Sequence, residues 1–109
     1  MECVFCNIVQ GKSPATVEWE DEKVIAIRDA NPQAPIHLLI MPKEHFPSID
    51  NVPNDILLAM LETAKALATR EGFSNGYRIV INNGPDGGQT VYHAHVHLLG
   101  GRPFGWPPG

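Results

Sequence analysis

Residues 90–99 read TVYHAHVHLL and place three of the chain's five histidines at alternate positions inside an apolar run. In an extended strand successive side chains point to opposite faces, so His93, His95 and His97 are expected on one face and Tyr92, Ala94, Val96 and Leu98 on the other. One face packs, and the other does chemistry or binds something. A single metal ion cannot use all three: at a rise of roughly 3.3 Å per residue the outer two stand about 13 Å apart, whereas zinc–nitrogen bonds are about 2.0 Å long.

What remains is a neutral imidazole acting as nucleophile, with neighbours that fix its tautomer and feed protons near the ordinary histidine pKa of about 6.5. Histidine attacks phosphorus well, so the pattern points to phosphoryl or nucleotidyl transfer. The preceding NNGPDGGQT supplies a tight glycine backbone with free N–H groups, amides from Asn82, Asn83 and Gln89, and the Thr90 hydroxyl. Alone it reads as an ordinary hairpin turn; beside the histidines it reads as an anion cradle.

The chain has 109 residues, enough for one domain over 1–109. Eight basic against twelve acidic residues leave a net charge of −4, so the electrostatic footprint of a protein that grips nucleic acid is missing, and any nucleotide it handles is expected to be small. No window approaches the roughly 20 apolar residues of a membrane span. The N-terminal MECVFCNIVQGK lacks a basic region followed by an apolar core. These features lead to the expectation of a cytoplasmic protein with no membrane partner.

Residues 3–10 (CVFCNIVQ) carry helical spacing and stop at Gly11. VEW (17–19), KVIAIRD (23–29) and APIHLLIMP (34–42) read as an antiparallel meander. The segment NDILLAMLETAKALATREG repeats apolar residues with a 3.6 period, with Asn54 expected to cap its start and Gly72 its end. YRIVINN (77–83) and VYHAHVHLL (91–99) complete the strands, and the tail GGRPFGWPPG propagates neither helix nor sheet. The fold class is therefore α+β: about five antiparallel strands with one long and one short helix.

Cys3 and Cys6 form a C-x-x-C pair that three readings fit: inert thiols, a redox pair, or half of a zinc site. Zinc would need two more ligands, for which His45 and one of the alternating histidines are candidates.

Taken together, RDANPQAPIHLLIMPKEH and GPDGGQTVYHAHVHLLGGRP resemble the two signature regions of the histidine triad superfamily, and the ending WPPG is similar to its Hint-type branch, the purine nucleoside phosphoramidases. The resemblance spans residues 3–109 and implies hydrolysis of purine nucleoside 5′-phosphoramidates or aminoacyl-adenylate-like compounds to AMP, without a catalytic cofactor. It implies that His95 is the nucleophile, supported by His93 and His97, with His37 approaching it from the neighbouring strand and Thr90 assisting. Asp29, with Ala30 beside it, falls where the ribose hydroxyls are held. Asn82, Gly88, Gln89 and Thr90 match the phosphate and leaving-group positions, and Phe5, Ile8, Ile27 and Leu39 the apolar slot for the base. Periodicity by itself makes those last four ordinary core.

Thr90 stands where the branch usually has serine, and His97 where the transferase members have glutamine, which favours hydrolysis over transfer. Members with the N-terminal cysteine pair imply a structural zinc on Cys3, Cys6, His45 and His93. The branch also implies a homodimer, with Trp106 in the tail as an interface residue. Two other functions fit the same residues: hydrolysis of dinucleoside polyphosphates, and a nucleotide-binding regulatory module with vestigial catalysis.

Overall fold

A computed structural model describes residues 3–109; residues 1 and 2, at the head of the stretch read for a leader, lie outside it. The elements are α1 (Val4–Val9), β1 (Val17–Glu20), β2 (Val24–Arg28), β3 (Ile36–Pro42), α2 (Asn54–Arg70), β4 (Arg78–Val80) and β5 (Val96–Gly100), with a 3-10 turn at Ile49–Asn51. All five strands pair antiparallel in one sheet of order β1-β2-β3-β5-β4, which is the expected α+β architecture. The first three strands form the meander. After α2 the chain returns so that β5 lies beside β3, leaving β4 at the edge.

The central strands are covered on both faces, and residue parity decides which. Val24, Ala26, Leu38, Ile40, Val96 and Leu98 turn toward Met60, Ala64, Leu67 and Ala68 of α2. Ile25, Ile27, Leu39 and Met41 turn the other way, toward Phe5 of α1. His97 lies across from Leu39 in the β3–β5 ladder and so faces the α1 side. That side carries the site.

The long helix keeps the expected period but not the expected cap. Pro53, at φ −59° and ψ 151°, occupies the cap position, and Asn54 is already helical with no side chain capping the end. The Pro53 carbonyl accepts the Leu57 N–H at 2.9 Å, so the first turn closes one residue earlier than expected. At the other end Gly72 takes φ +76° while the Phe73 N–H reaches back to the Ala68 carbonyl at 3.1 Å, an arrangement that suits glycine because it has no Cβ.

Two strands are shorter than the sequence suggests. Only 78–80 of the expected 77–83 pairs, and of 91–99 only the part from Val96 onward is strand, extended by Gly100. The reason is where the backbone hydrogen bonds go: the Ala94 N–H donates to the Phe46 carbonyl at 2.7 Å, across to the loop after β3 rather than into a ladder. His93 and His95 therefore precede the regular strand, and the strict alternation argued for all three histidines applies from Val96 on.

Among the described residues no helix is long and apolar enough to cross a membrane.

Candidate active site

On the α1 side of the sheet lies a cleft of about 780 Å³. Phe5 and Ile8 from α1, with Val4 at its rim, face Ile27 of β2 and Leu39 of β3 to make an apolar slot. Asp29 and Ala30, which follow β2, line it together with Thr90, Val91, His95 and His97, and Asp29 and His97 come together around His37. A second hollow of about 630 Å³, between residues 72–78 and 101–104, presents Arg78 and Arg102 but no histidine or carboxylate. The first cleft is the one equipped for chemistry.

The hydrogen bonds divide the histidines by role, because a carbonyl can only accept and a backbone N–H can only donate. His95 Nδ1 lies 2.7 Å from the His93 carbonyl, so Nδ1 carries the proton and Nε2 keeps its lone pair. The Gln33 N–H donates to His37 Nδ1 at 3.0 Å, which puts the His37 proton on Nε2. That Nε2–H points at His97 Nδ1, 2.9 Å away, with an Asp29 carboxylate oxygen at 3.4 Å. His97 Nδ1 is thus an acceptor, and its own proton sits on Nε2. One ring lining the cleft offers a nucleophilic lone pair and its neighbour, 4.9 Å between centroids, offers an N–H. His37 was expected to approach the nucleophile; the structure brings it to His97 instead, because the β3–β5 register pairs residue 37 with 99.

Burial keeps these rings neutral. It is the main cause pushing His95 below the ordinary histidine range, opposed by its bond to the His93 carbonyl and by Asp29. His97 is pushed down to about 4, by burial first and then by His95 and His37, with Asp29 opposing. His37 is lowered by burial against the pull of Asp29. A neutral imidazole is the form that can attack phosphorus.

Asp29 accepts the Asn31 N–H on Oδ1 at 2.8 Å, which fixes its carboxylate at the mouth of the cleft. The glycine-rich loop is more inward-looking than its composition suggests. Gln89 is buried: its Oε1 accepts from the Gly84 N–H, and its Nε2 donates to the carbonyls of Pro47 and Val91. Asn82 donates to the Gly87 carbonyl at 2.7 Å. Asn82, Gly88 and Gln89 build the loop, while Thr90 lines the cleft. The sequence offered no signal for Ser13, Pro14, Ala15 and Thr16, which also line it and read only as a connection.

Behind His95 a second group forms. Cys3, Cys6, His45 and His93 each offer one ligand atom, all within 4.8 Å of one another. His45 Nδ1 and His93 Nδ1 are 3.3 Å apart, Cys3 Sγ to His93 Nδ1 and Cys6 Sγ to His45 Nδ1 are each 3.4 Å, and Cys6 Sγ to His93 Nδ1 is 3.6 Å. A tetrahedron with Zn–N of about 2.0 Å and Zn–S of about 2.3 Å requires N···N of about 3.3 Å and N···S of about 3.5 Å, so the four residues fit a closed zinc site. His93 Nε2 donates to the Pro42 carbonyl at 2.8 Å, leaving the Nδ1 lone pair for a metal. Cys3 also caps α1 by accepting the Cys6 N–H on its sulfur at 3.4 Å. The segment 93–97 thus serves two centres, with His93 turned to one and His95 and His97 to the other.

The model of the HIT domain matches residues 10–104 of this chain. The chain belongs to the HIT family. Among solved structures, this HIT protein superposes on a HIT family hydrolase from Legionella pneumophila Philadelphia 1 with a TM-score of 0.95 and 53% identity, covering 99% of this chain and 100% of that one. It is 50% identical to the 14 kDa zinc-binding protein of Zea mays, over 97% of this chain and 87% of that protein. It is 48% identical to a protein of Arabidopsis thaliana named adenylylsulfatase HINT1, over 97% of this chain and 76% of that one. The name of the maize relative agrees with a metal-holding Cys/His group, which this HIT protein supplies.

Proposed function

We propose that the protein is a hydrolase that cleaves purine nucleoside 5′-phosphoramidates or aminoacyl-adenylate-like compounds to AMP through a nucleotidyl-histidine on His95. The observation that carries this reading is the pairing of a His95 Nε2 lone pair with a His97 Nε2–H in one cleft, one able to attack and the other to donate. The base would occupy the slot of Phe5, Ile8, Ile27 and Leu39, with the ribose hydroxyls on Asp29. His95 Nε2 then forms a bond to the α-phosphorus as the bond to the leaving atom breaks; a phosphoramidate nitrogen takes up a proton from solvent, and an acyl-adenylate oxygen departs as the carboxylate. Water next attacks the phosphorus, the phosphorus–histidine bond breaks, and a proton returns to solvent. His97 donates to the phosphoryl oxygens or leaving atom throughout. Asn82 and Gln89 act by holding the loop that presents Thr90. The protein supplies this chemistry from its own side chains; zinc, held by Cys3, Cys6, His45 and His93, would be structural.

The name of the Arabidopsis relative supports attack at the same phosphorus with a sulfate leaving group. The test is a substrate panel of adenosine 5′-phosphoramidate, adenylyl sulfate and diadenosine tri- and tetraphosphate, with rapid denaturing quench and mass spectrometry of His95. The expected result is fastest turnover of the phosphoramidate and an AMP adduct on His95. His95→Ala should abolish turnover and keep AMP binding; full activity in that variant overturns the mechanism. Preference for the dinucleoside polyphosphates would move the substrate class instead.

A homodimer belongs to the same reading. The β4 edge leaves Tyr77, Ile79 and Ile81 exposed, and Trp106 in the tail is 85% exposed. Sedimentation equilibrium should return twice the chain mass, and a monomer at micromolar concentration would refute it.

A further inference from the structure

We propose that Cys3, Cys6 and His45 are positioning residues for the nucleophile, acting through the ring and carbonyl of His93. The inference rests on the assignment of His95 as nucleophile.

The orientation of His95 depends on one acceptor, the His93 carbonyl at 2.7 Å from Nδ1. That carbonyl belongs to residues 91–95, which no strand ladder holds, since β5 begins at Val96. Gln89 Nε2 holds its start at the Val91 carbonyl, and two anchors fix the part around His93. One is the Ala94 N–H bonded to the Phe46 carbonyl at 2.7 Å. The other is the His93 ring, fully buried and engaged at both nitrogens: Nε2 on the Pro42 carbonyl, Nδ1 facing the two sulfurs and His45.

The Nδ1 side is where the anchor can fail. With Nε2 protonated toward Pro42, His93 turns a lone pair toward His45 Nδ1 at 3.3 Å. Four electron-rich donors at this spacing are held together by a shared cation, and in its absence they move apart unless a proton bridges them. A displaced His93 ring shifts its own backbone and the carbonyl that sets the His95 tautomer. Phe5 adds a second link, because it sits between Cys3 and Cys6 in sequence and presses its ring against both His93 and His95, at 5.9 and 5.1 Å between centroids. The cysteine pair therefore holds the nucleophile from two sides without touching substrate.

The test compares zinc-loaded protein, protein stripped by a chelator at neutral pH, and His45→Ala, which keeps three ligands and serves as the folded comparison should stripping unfold the chain. Two readouts are made on each: kcat and KM for adenosine 5′-phosphoramidate, and the imidazole N–H signals in proton–nitrogen correlation spectra. The expected result is a fall in kcat of about 10- to 100-fold, the range for losing support behind an ordered ligand, with KM within about threefold. The His95 Nδ1–H signal should broaden or vanish while that of His37 persists, and restored zinc should bring both kcat and signal back in the stripped protein. An unchanged kcat with the His95 signal intact in folded, zinc-free protein or in His45→Ala overturns the inference, as does a loss confined to KM. His95→Ala separates the two levels: if it still turns over, the nucleophile assignment fails, whereas if it is dead and the zinc-free protein is fully active, only the positioning role fails.

Discussion

Lowering the pH should destabilise the protein through residue 97, and the size of the effect follows from where that ring sits. The His97 side chain lies in the cleft against His95 and His37, and burial with those neighbours pushes it from the ordinary 6.5 down to about 4, with Asp29 pulling the other way. Below pH 6.5 the unfolded chain takes up a proton at residue 97 that the native protein refuses until about pH 4, so stability falls as pH drops through that window and levels off below it. At 1.36 kcal/mol per pH unit the full effect is about 3 kcal/mol, and about 2 kcal/mol by pH 5. Both are ceilings, because the ring is partly open to water in the cleft. The assay is urea denaturation of wild type and His97→Asn at pH 7, 6, 5 and 4, read as the difference between the two at each pH. The zinc ligands and the remaining histidines lie in both proteins, so their own acid sensitivity largely cancels. The wild-type advantage should shrink by about 1 to 2 kcal/mol between pH 7 and 5. A difference that stays flat, or that grows as the pH falls, would show that His97 is not held neutral and would remove the argument that it donates through Nε2 without carrying charge.

Truncating the helix–sheet core should be costly: Leu67→Ala, at a fully buried position under the sheet, is expected to lose about 2–5 kcal/mol in denaturant unfolding, and a loss below about 1 kcal/mol would contradict the packing described. Gly100→Ala would set a Cβ about 2.3 Å from the Phe73 ring, so it should lower stability by about 1–3 kcal/mol through overpacking; a neutral melting point refutes that close approach. Elemental analysis of purified protein should find about one zinc per chain, lost in Cys6→Ser together with part of the thermal stability. A metal-free preparation with an unchanged melting point would refute it. Asp29→Asn should weaken AMP binding about tenfold or more by calorimetry, since hydrogen bonds to a charged acceptor contribute about 1.5–3 kcal/mol, and unchanged affinity would remove Asp29 from the ribose.

Much of this molecule follows from local pattern. The 3.6 period over Asn54–Arg70, the β-rich runs around Val24–Arg28 and Ile36–Pro42, the C-x-x-C pair and the H-x-H-x-H stretch are each readable within a few residues, because side-chain direction along a regular helix or strand repeats with a fixed period. That period fails where the backbone is not regular. The Ala94 N–H goes to the loop after β3, so strand alternation, which put His93 on one face with His95 and His97, does not hold there: its ring lies with Cys3, Cys6 and His45, the four ligands that the family resemblance implied. Asn54 as a cap failed, and the Gln89 side chain turned inward, for a related reason. Each side chain's destination was set by a partner distant in sequence or by the geometry of Pro53, neither of which periodicity encodes. Tertiary structure likewise decided which nitrogen of His37, His93, His95 and His97 carries the proton, since those tautomers are dictated by the carbonyls of His93 and Pro42 and the N–H of Gln33. The sequence by itself determined the element order and the inventory of reactive groups. Only the packed chain, by bringing together residues separated by 48 to 90 positions, decided which imidazole keeps a free lone pair in the cleft, which turns its Nδ1 to His37 and which faces the cysteines.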